Sequence, residues 1–183
     1  QSTVLKHVNV SFKFDTPRDL ILANENQLHQ VLVNLCTNSA HALDKNPSRV
    51  EIKVTQVDTL PVHLIDKREF KKQPHLHLEI RDNGTGITAE NLPRIFEPFY
   101  TTKQVGEGAG LGLSVVHGII KTHQGSIDVE SEIGHGTCFH IYLPLLTALS
   151  KKDEAAGEIA LAAPEGHGTI LVVDDEENVL EFL

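Results

Sequence analysis

The hydrophobic period of this chain changes along its length, and those changes decide what it can fold into. Residues 7–14 alternate, with Val8, Val10, Phe12 and Phe14 on one face and His7, Asn9, Ser11 and Lys13 on the other. That is the period of a half-buried strand. From Asn24 to Leu43 the apolar positions Leu28, Val31, Leu32, Leu35, Ala42 and Leu43 recur mostly at three- and four-residue steps, and Ser39 fills the same face. This spacing predicts a helix. Asn24 with Gln27 three residues on resembles a capping box and marks the helix start. Val50, Ile52 and Val54 alternate again, as do Leu76, Leu78 and Ile80. Strands interleaved with a helix point to an α/β chain.

The remaining elements follow the same logic. Leu20 to Ala23 is a candidate hairpin partner for the first strand. Residues 58–74 form a charged insertion bounded by Leu60-Pro61 and Gln73-Pro74, expected as a surface hairpin or loop with no assigned role. A capped turn is expected at Thr88, and a glycine-rich stretch at 106–112 opens a helix through Val115, Val116, Ile119 and Ile120. Gly125 stands where a glycine cap would end that helix. Two strands, 126–130 and 137–143, flank the turn Gly134-His135-Gly136. Residues 147–167 read as an Ala-, Glu-, Lys- and Gly-rich linker, followed by a short apolar strand, Thr169 to Val173. The 183 residues suit one α/β domain plus some spare length, or one domain and a fragment of another, and the missing initial Met suggests an excised piece.

Composition removes several function classes. A net charge of −9 disfavours nucleic-acid backbone as the main partner. No apolar run approaches the roughly 20 residues of a membrane span. Cys36 and Cys138 are far apart with no CxxC, so neither a zinc knuckle nor a disulfide framework is indicated.

Three segments carry chemistry. On the 24–43 helix, Asn34, Asn38 and His41 project within about 60° of one another, a stripe that Gln27, Gln30 and Lys45 extend. Such an edge either offers oxygens to a hydrated Mg²⁺ or simply faces water. Asp82 ends a strand ahead of Gly84 and Gly86. It either accepts a hydrogen bond from an amino group on a flat ring or belongs to an Asn-Gly turn. The segment Gly106 to Leu113 feeds a helix N-terminus. It either cradles phosphate or acts as a hinge, and its spacing matches neither the Walker loop nor G-x-G-x-x-G.

In this order the segments resemble the catalytic, ATP-binding domain of sensor histidine kinases, the Bergerat-type fold shared with gyrase and related ATPases. Asn34-Leu35-Cys36-Thr37-Asn38 resembles the N box, and Asp82-x-Gly84-x-Gly86 the first glycine box. Phe96-Glu97-Pro98-Phe99 is similar to the F box, Gly108-x-Gly110-Leu111-Gly112-Leu113 to the second glycine box, and Gly134-x-Gly136-Thr137 to the last. Tyr100-Thr101-Thr102-Lys103 resembles the subgroup rich in hybrid and nitrogen-regulation-type kinases.

The resemblance implies an α/β sandwich: a mixed, mostly antiparallel sheet, covered on one face by helices 24–43 and 110–124, with ATP between them under a lid at 97–109. It implies that Asn38 ligates a phosphate-bridging Mg²⁺ with Asn34 assisting, and that Asp82 binds the adenine amino group. Gly84, Gly86 and Ile87 would shape the base pocket, with Thr137 supporting its wall. Gly108, Gly110, Leu111 and Gly112 would cradle phosphates, with Lys103 and His41 as further contacts. Relatives that hydrolyse ATP carry a Glu one turn before the magnesium Asn, where this chain has Asn34. A carboxamide is no general base near neutral pH, so transfer to a protein histidine is expected over hydrolysis. Direct hydrolysis, or nucleotide-controlled docking without catalysis, are the alternatives.

The tail, Thr169-Ile170-Leu171-Val172-Val173-Asp174-Asp175-Glu176-Glu177, resembles the start of a response-regulator receiver, in which Asp174 and Asp175 would help hold Mg²⁺. The expected division is a catalytic domain at 1–146, a linker at 147–167 and a truncated receiver at 168–183. The implied partners are a histidine-bearing dimerisation domain and a receiver, in a homodimeric parent. No nucleic acid or membrane contact is expected of this fragment, and a cytoplasmic location is. His75 and His77 share a strand face that could bind metal, but with no third ligand nearby in sequence a solvated face is expected. His135 and His140 are read likewise.

Overall fold

The computed structural model describes residues 8–17, 19–43, 47–64, 73–103 and 109–146. The described order is β1 (Val8–Asp15), α1 (Glu25–Ala42), β2 (Ser48–Val57), β3 (His75–Asp82), α2 (Gly112–Thr122), β4 (Ser126–Glu132) and β5 (Gly136–Pro144), with 3₁₀ turns at Val62–Leu64 and Leu92–Arg94. The chain separates into units Gln1–Thr147 and Ala148–Leu183, and every described residue belongs to the first.

The five strands form one sheet in the order β1-β2-β3-β5-β4. Only the β1–β2 pair is parallel, so the sheet is mixed and mostly antiparallel. Asn24 accepts from the Gln27 N–H at 3.1 Å and starts α1 as its spacing indicated. Val31 and Leu35 of α1 meet Val116, Ile119 and Ile120 of α2 over Ile52, Ile80, Phe139 and Ile141 of the sheet. Burying those apolar side chains at about 1.5–3 kcal/mol each is what holds the two helices on the sheet. His123 ties the helices together: its Nδ1 lies 2.8 Å from the Ile119 carbonyl, and its Nε2 accepts from the Asn24 N–H at 3.0 Å.

Four readings of the sequence need correction. The segment 20–23 is not a hairpin partner of β1. Ile21 instead bridges Leu145 beyond β5, while β1 pairs in parallel with β2. The apolar face of β1 is not half-buried, because β1 is an edge strand beside an open groove lined by Leu28 and Leu32 of α1. Phe12 and Phe14 stay 65% and 75% exposed.

Gly125 does not supply the left-handed residue that ends α2. Gln124 does, at φ +56°, with Gln124 N–H bonded to Lys121 O and Gly125 N–H to Ile120 O. Gly125 is needed for space, since a Cβ there would lie 2.6 Å from the Tyr142 carbonyl oxygen.

The strand face bearing His75 and His77 is not solvated: His75 is buried, as are Cys138 and Tyr142 of the neighbouring strand. His63, beyond β2, reaches this face at β4, where its Nε2 meets Asp128 Oδ2 at 2.7 Å.

Candidate functional site

Asp82 ends β3 facing the helices, and the backbone around it is shaped to hold its carboxylate. Oδ1 accepts from the Gly84 N–H at 2.9 Å and the Thr137 N–H at 3.2 Å, and Oδ2 accepts from Ser39 Oγ at 3.0 Å. A buried carboxylate is tolerable only with such donors. Gly136, at φ +102°, lets β5 come this close, because a Cβ would fall 2.1 Å from the Asp82 carbonyl oxygen. Beside it, Ser131 Oγ accepts from the Ile87 N–H at 2.8 Å and lies 2.9 Å from Thr137 Oγ1. These bonds fix the Gly86-Ile87 backbone next to Asp82.

The polar edge of α1 faces the start of α2. A Cβ on Gly112 would lie 3.3 Å from Asn34 Oδ1 and 4.0 Å from Asn38 Nδ2, so glycine admits the close approach. Neither Asn side chain has a hydrogen-bond partner among the described residues, which leaves both carboxamides available to a ligand. No side chain caps the first turn of α2. Its unpaired N–H groups and positive dipole end therefore open toward anions.

The segment between β3 and α2 closes the site from the side. Tyr100 donates to Asn91 Oδ1 at 2.7 Å, and the Arg94 guanidinium lies 4.3 Å over the Tyr100 ring. Phe99 N–H bonds the Gly110 carbonyl at 3.0 Å, holding Phe99 at φ +66°. Beyond them, Lys103 Nζ lies 3.1 Å from His41 Nδ1 at the end of α1.

Together these elements enclose a cleft of about 780 Å³. It brings together Asn34, Asn38, His41, Asp82, Gly86, Ile87, Lys103, Gly110, Leu111, Gly112 and Thr137. Gly84 does not line it: Gly84 sits behind Asp82, where a Cβ would lie 2.5 Å from the Ala42 carbonyl oxygen. Gly108, Asp174 and Asp175 lie outside the described residues.

Sequence reasoning passed over Ser39 as a small spacer on the apolar stripe. At 1% exposure its hydroxyl needs a partner, and that partner is Asp82. A hydroxyl among Leu35, Ala40 and Ala42 was the available signal. Asp82 is the cleft's sole acidic side chain among the described residues. The site thus offers one carboxylate acceptor at its buried end and neutral oxygens, amides and the Lys103 ammonium elsewhere. That distribution suits a flat ring with an amino group and a polyanionic tail.

Residues 23–147 match the family described as histidine kinase-, DNA gyrase B- and HSP90-like ATPase. The sensor kinase CckA of Brucella abortus is 37% identical over 93% of this chain and 19% of its own length. Sporulation kinase E of Bacillus subtilis is 41% identical over 75% of this chain and 16% of its own length. The chain therefore spans under a fifth of those relatives. Among solved structures, full-length ShkA in complex with AMPPNP superposes with a TM-score of 0.59 at 25% identity, over 78% of this chain and 27% of that one. A mycobacterial sensor histidine kinase, MprB, shares the fold with a TM-score of 0.57 at 24% identity, over 74% of this chain and 82% of that one. The chain belongs to the histidine kinase-, DNA gyrase B- and HSP90-like ATPase family, and carries the ATP-binding catalytic domain of its histidine kinase branch.

Proposed function

We propose that this domain binds ATP in the cleft and passes its γ-phosphate to a histidine on a separate helical dimerisation domain of the parent protein. The chemistry of the α1 edge carries this reading: Asn34 and Asn38 present carboxamides to the cleft, and its sole carboxylate among the described residues, Asp82, is committed to hydrogen bonds from Ser39, Gly84 and Thr137. Such an edge can hold a metal-bound polyphosphate but cannot take a proton from water. ATP bound there waits for another acceptor.

In this reading Asp82 accepts from the adenine amino group, and Gly86, Ile87 and Thr137 form the walls of the base pocket. Gly84 acts from behind, by donating to Asp82. Gly110, Leu111 and Gly112 offer backbone to phosphates, Gly108 extends that cradle, and Lys103 and His41 add contacts from the lid and α1. Asn38, with Asn34 assisting, would hold Mg²⁺, whose uncommitted carboxamide ligands fit a hydrated ion that draws its negative partners from phosphate. The metal supplies charge neutralisation along the phosphates.

We also propose the division into a catalytic domain at 1–146, a linker at 147–167 and the start of a receiver at 168–183. Asp174 and Asp175 would form part of the receiver's Mg²⁺ pocket. The parent is then a hybrid kinase in a phosphorelay, homodimeric, with this domain in the cytoplasm whether or not the parent is membrane-anchored. Similarity to CckA over 93% of the chain extends beyond residues 23–147 and supports a shared continuation. No described helix is long and apolar enough to cross a membrane.

The test is to mix this chain with the parent's dimerisation domain and γ-labelled ATP. Acid-labile label on that domain is expected, and its loss with Asn38→Ala. An unlabelled acceptor beside intact ATP binding would favour a docking role instead.

A further inference from the structure

The sheet face opposite the ATP cleft gathers polar side chains that the nucleotide site does not use. Strand register places Glu79 of β3 directly across from His140 of β5, and Cys138 lies two residues before His140 on the same face. One ligand atom from each of Glu79, Cys138 and His140 lies within 4.8 Å of the other two. We infer that Glu79, Cys138 and His140 form a binding site for a zinc-class divalent cation on this face.

The orientation of His140 carries the inference furthest. Its Nδ1 lies 3.1 Å from His77 Nε2, and His77 stacks on Tyr142 with ring centroids 4.4 Å apart. Its Nε2 is buried without a hydrogen-bond partner. One ring nitrogen held by a neighbour and the other left bare is the usual state of a histidine set to ligate metal. Glu79 contributes similarly: Lys53 and His77 both approach Oε1, at 3.2 and 3.8 Å, which leaves Oε2. Glu130, with an oxygen 3.6 Å from His140 Nε2, is a ready fourth ligand or a partner for bound water.

Thiolate, imidazole and carboxylate together select zinc-class ions over Mg²⁺ or Ca²⁺. Tetrahedral ligands about 2.0–2.3 Å from zinc sit about 3.3–3.8 Å apart, so closing the site takes side-chain adjustments of about 1 Å. Two features oppose binding. Lys53 competes for Glu79. Burial, offset by Arg81 and reinforced by Glu79, Glu130 and Asp82, pushes the Cys138 thiol up to about 11, so the metal must displace a proton.

The experiment titrates the 183-residue chain with Co²⁺ alone and with Zn²⁺ alone, following absorbance and, for Zn²⁺, a competing chromophoric chelator. One equivalent of Co²⁺ giving a sulfur-to-cobalt charge-transfer band is expected. That band should disappear in Cys138→Ser and persist in Cys36→Ser. His140→Gln and Glu79→Gln, which leave the thiol in place, should each weaken Zn²⁺ binding by about tenfold or more with unchanged circular dichroism. Absence of the band in the unaltered chain, or unchanged Zn²⁺ affinity in His140→Gln, would overturn the site. Tight Zn²⁺ binding that survives all three ligand substitutions would place the metal on other histidines and overturn it equally.

Discussion

Ser39 Oγ donates to Asp82 Oδ2 across 3.0 Å of buried space, joining the last turn of α1 to the end of β3. The bond sets the carboxylate's rotation, with Oδ1 already taken by the Gly84 and Thr137 N–H groups. The remaining lone pair on Oδ2 is then the one free to meet an amino group. Asp82→Asn should weaken ATP binding by about 1.5–3 kcal/mol, because a charge-assisted acceptor becomes a neutral amide. Ser39→Ala should weaken it less, since that hydroxyl only orients the acceptor. Calorimetric titration of both variants checks the order; an affinity unchanged in Asp82→Asn would remove Asp82 from the base pocket.

Asn38→Ala should reveal itself through magnesium. The lost oxygen is a metal ligand in this account, so ATP binding should fall more with Mg²⁺ present than with the metal chelated. Parallel titrations with and without Mg²⁺ decide it, and equal losses would speak for a plain phosphate contact.

Gln124 holds a left-handed conformation at the end of α2, where glycine carries no steric cost. Gln124→Gly should stabilise the fold by about 0.5–1 kcal/mol, part of the relief being returned to the freer unfolded chain. Gly125→Ala should do the opposite, because the added Cβ would sit 2.6 Å from the Tyr142 carbonyl oxygen. Urea unfolding of the two variants should move the midpoint in opposite directions.

The stability of the domain should depend on pH through His75. Its ring is buried with Nδ1 lacking a hydrogen-bond partner. Burial lowers its pKa from 6.5, against a smaller opposing effect of the Gln73 backbone. The unfolded chain therefore binds this proton first as pH falls, so stability is full above about 6.5 and declines below it toward the folded pKa. His75→Leu should flatten that decline in urea unfolding measured across the range. A slope equal to that of the unaltered chain would mean that other groups carry it.

Local features of this fold were legible from local sequence. Asn24 and Gln27 marked the start of α1, and the spacing of Asn34, Asn38 and His41 placed them on one edge. Asp82 before two glycines marked the buried end of the cleft. Features that depend on which strands pair were not legible. Ser39 reads as a spacer until β3 is brought beneath α1, and His77 reads as solvated until β5 sets His140 and Tyr142 beside it. The exposure of Phe12 and Phe14 has the same origin, since alternation reports a strand and not its place at the sheet edge. Gly125 misled for another reason: its position beside a helix end suggested a need for positive φ, whereas the tight approach of β5 is what excludes a side chain.

The central claim is that the cleft holds ATP for an acceptor outside this chain. Incubating the chain alone with γ-labelled ATP, then separating protein, nucleotide and released phosphate, tests it most directly. Asn34 offers no general base, and none of the 11 histidines sits on a predicted helix with an acidic residue next after it. In-line transfer needs a held nucleophile. Recovery of bound, intact ATP from unlabelled protein is the predicted result. Rapid acid-labile label on the chain would contradict the external acceptor, and rapid release of phosphate would contradict the absence of a base.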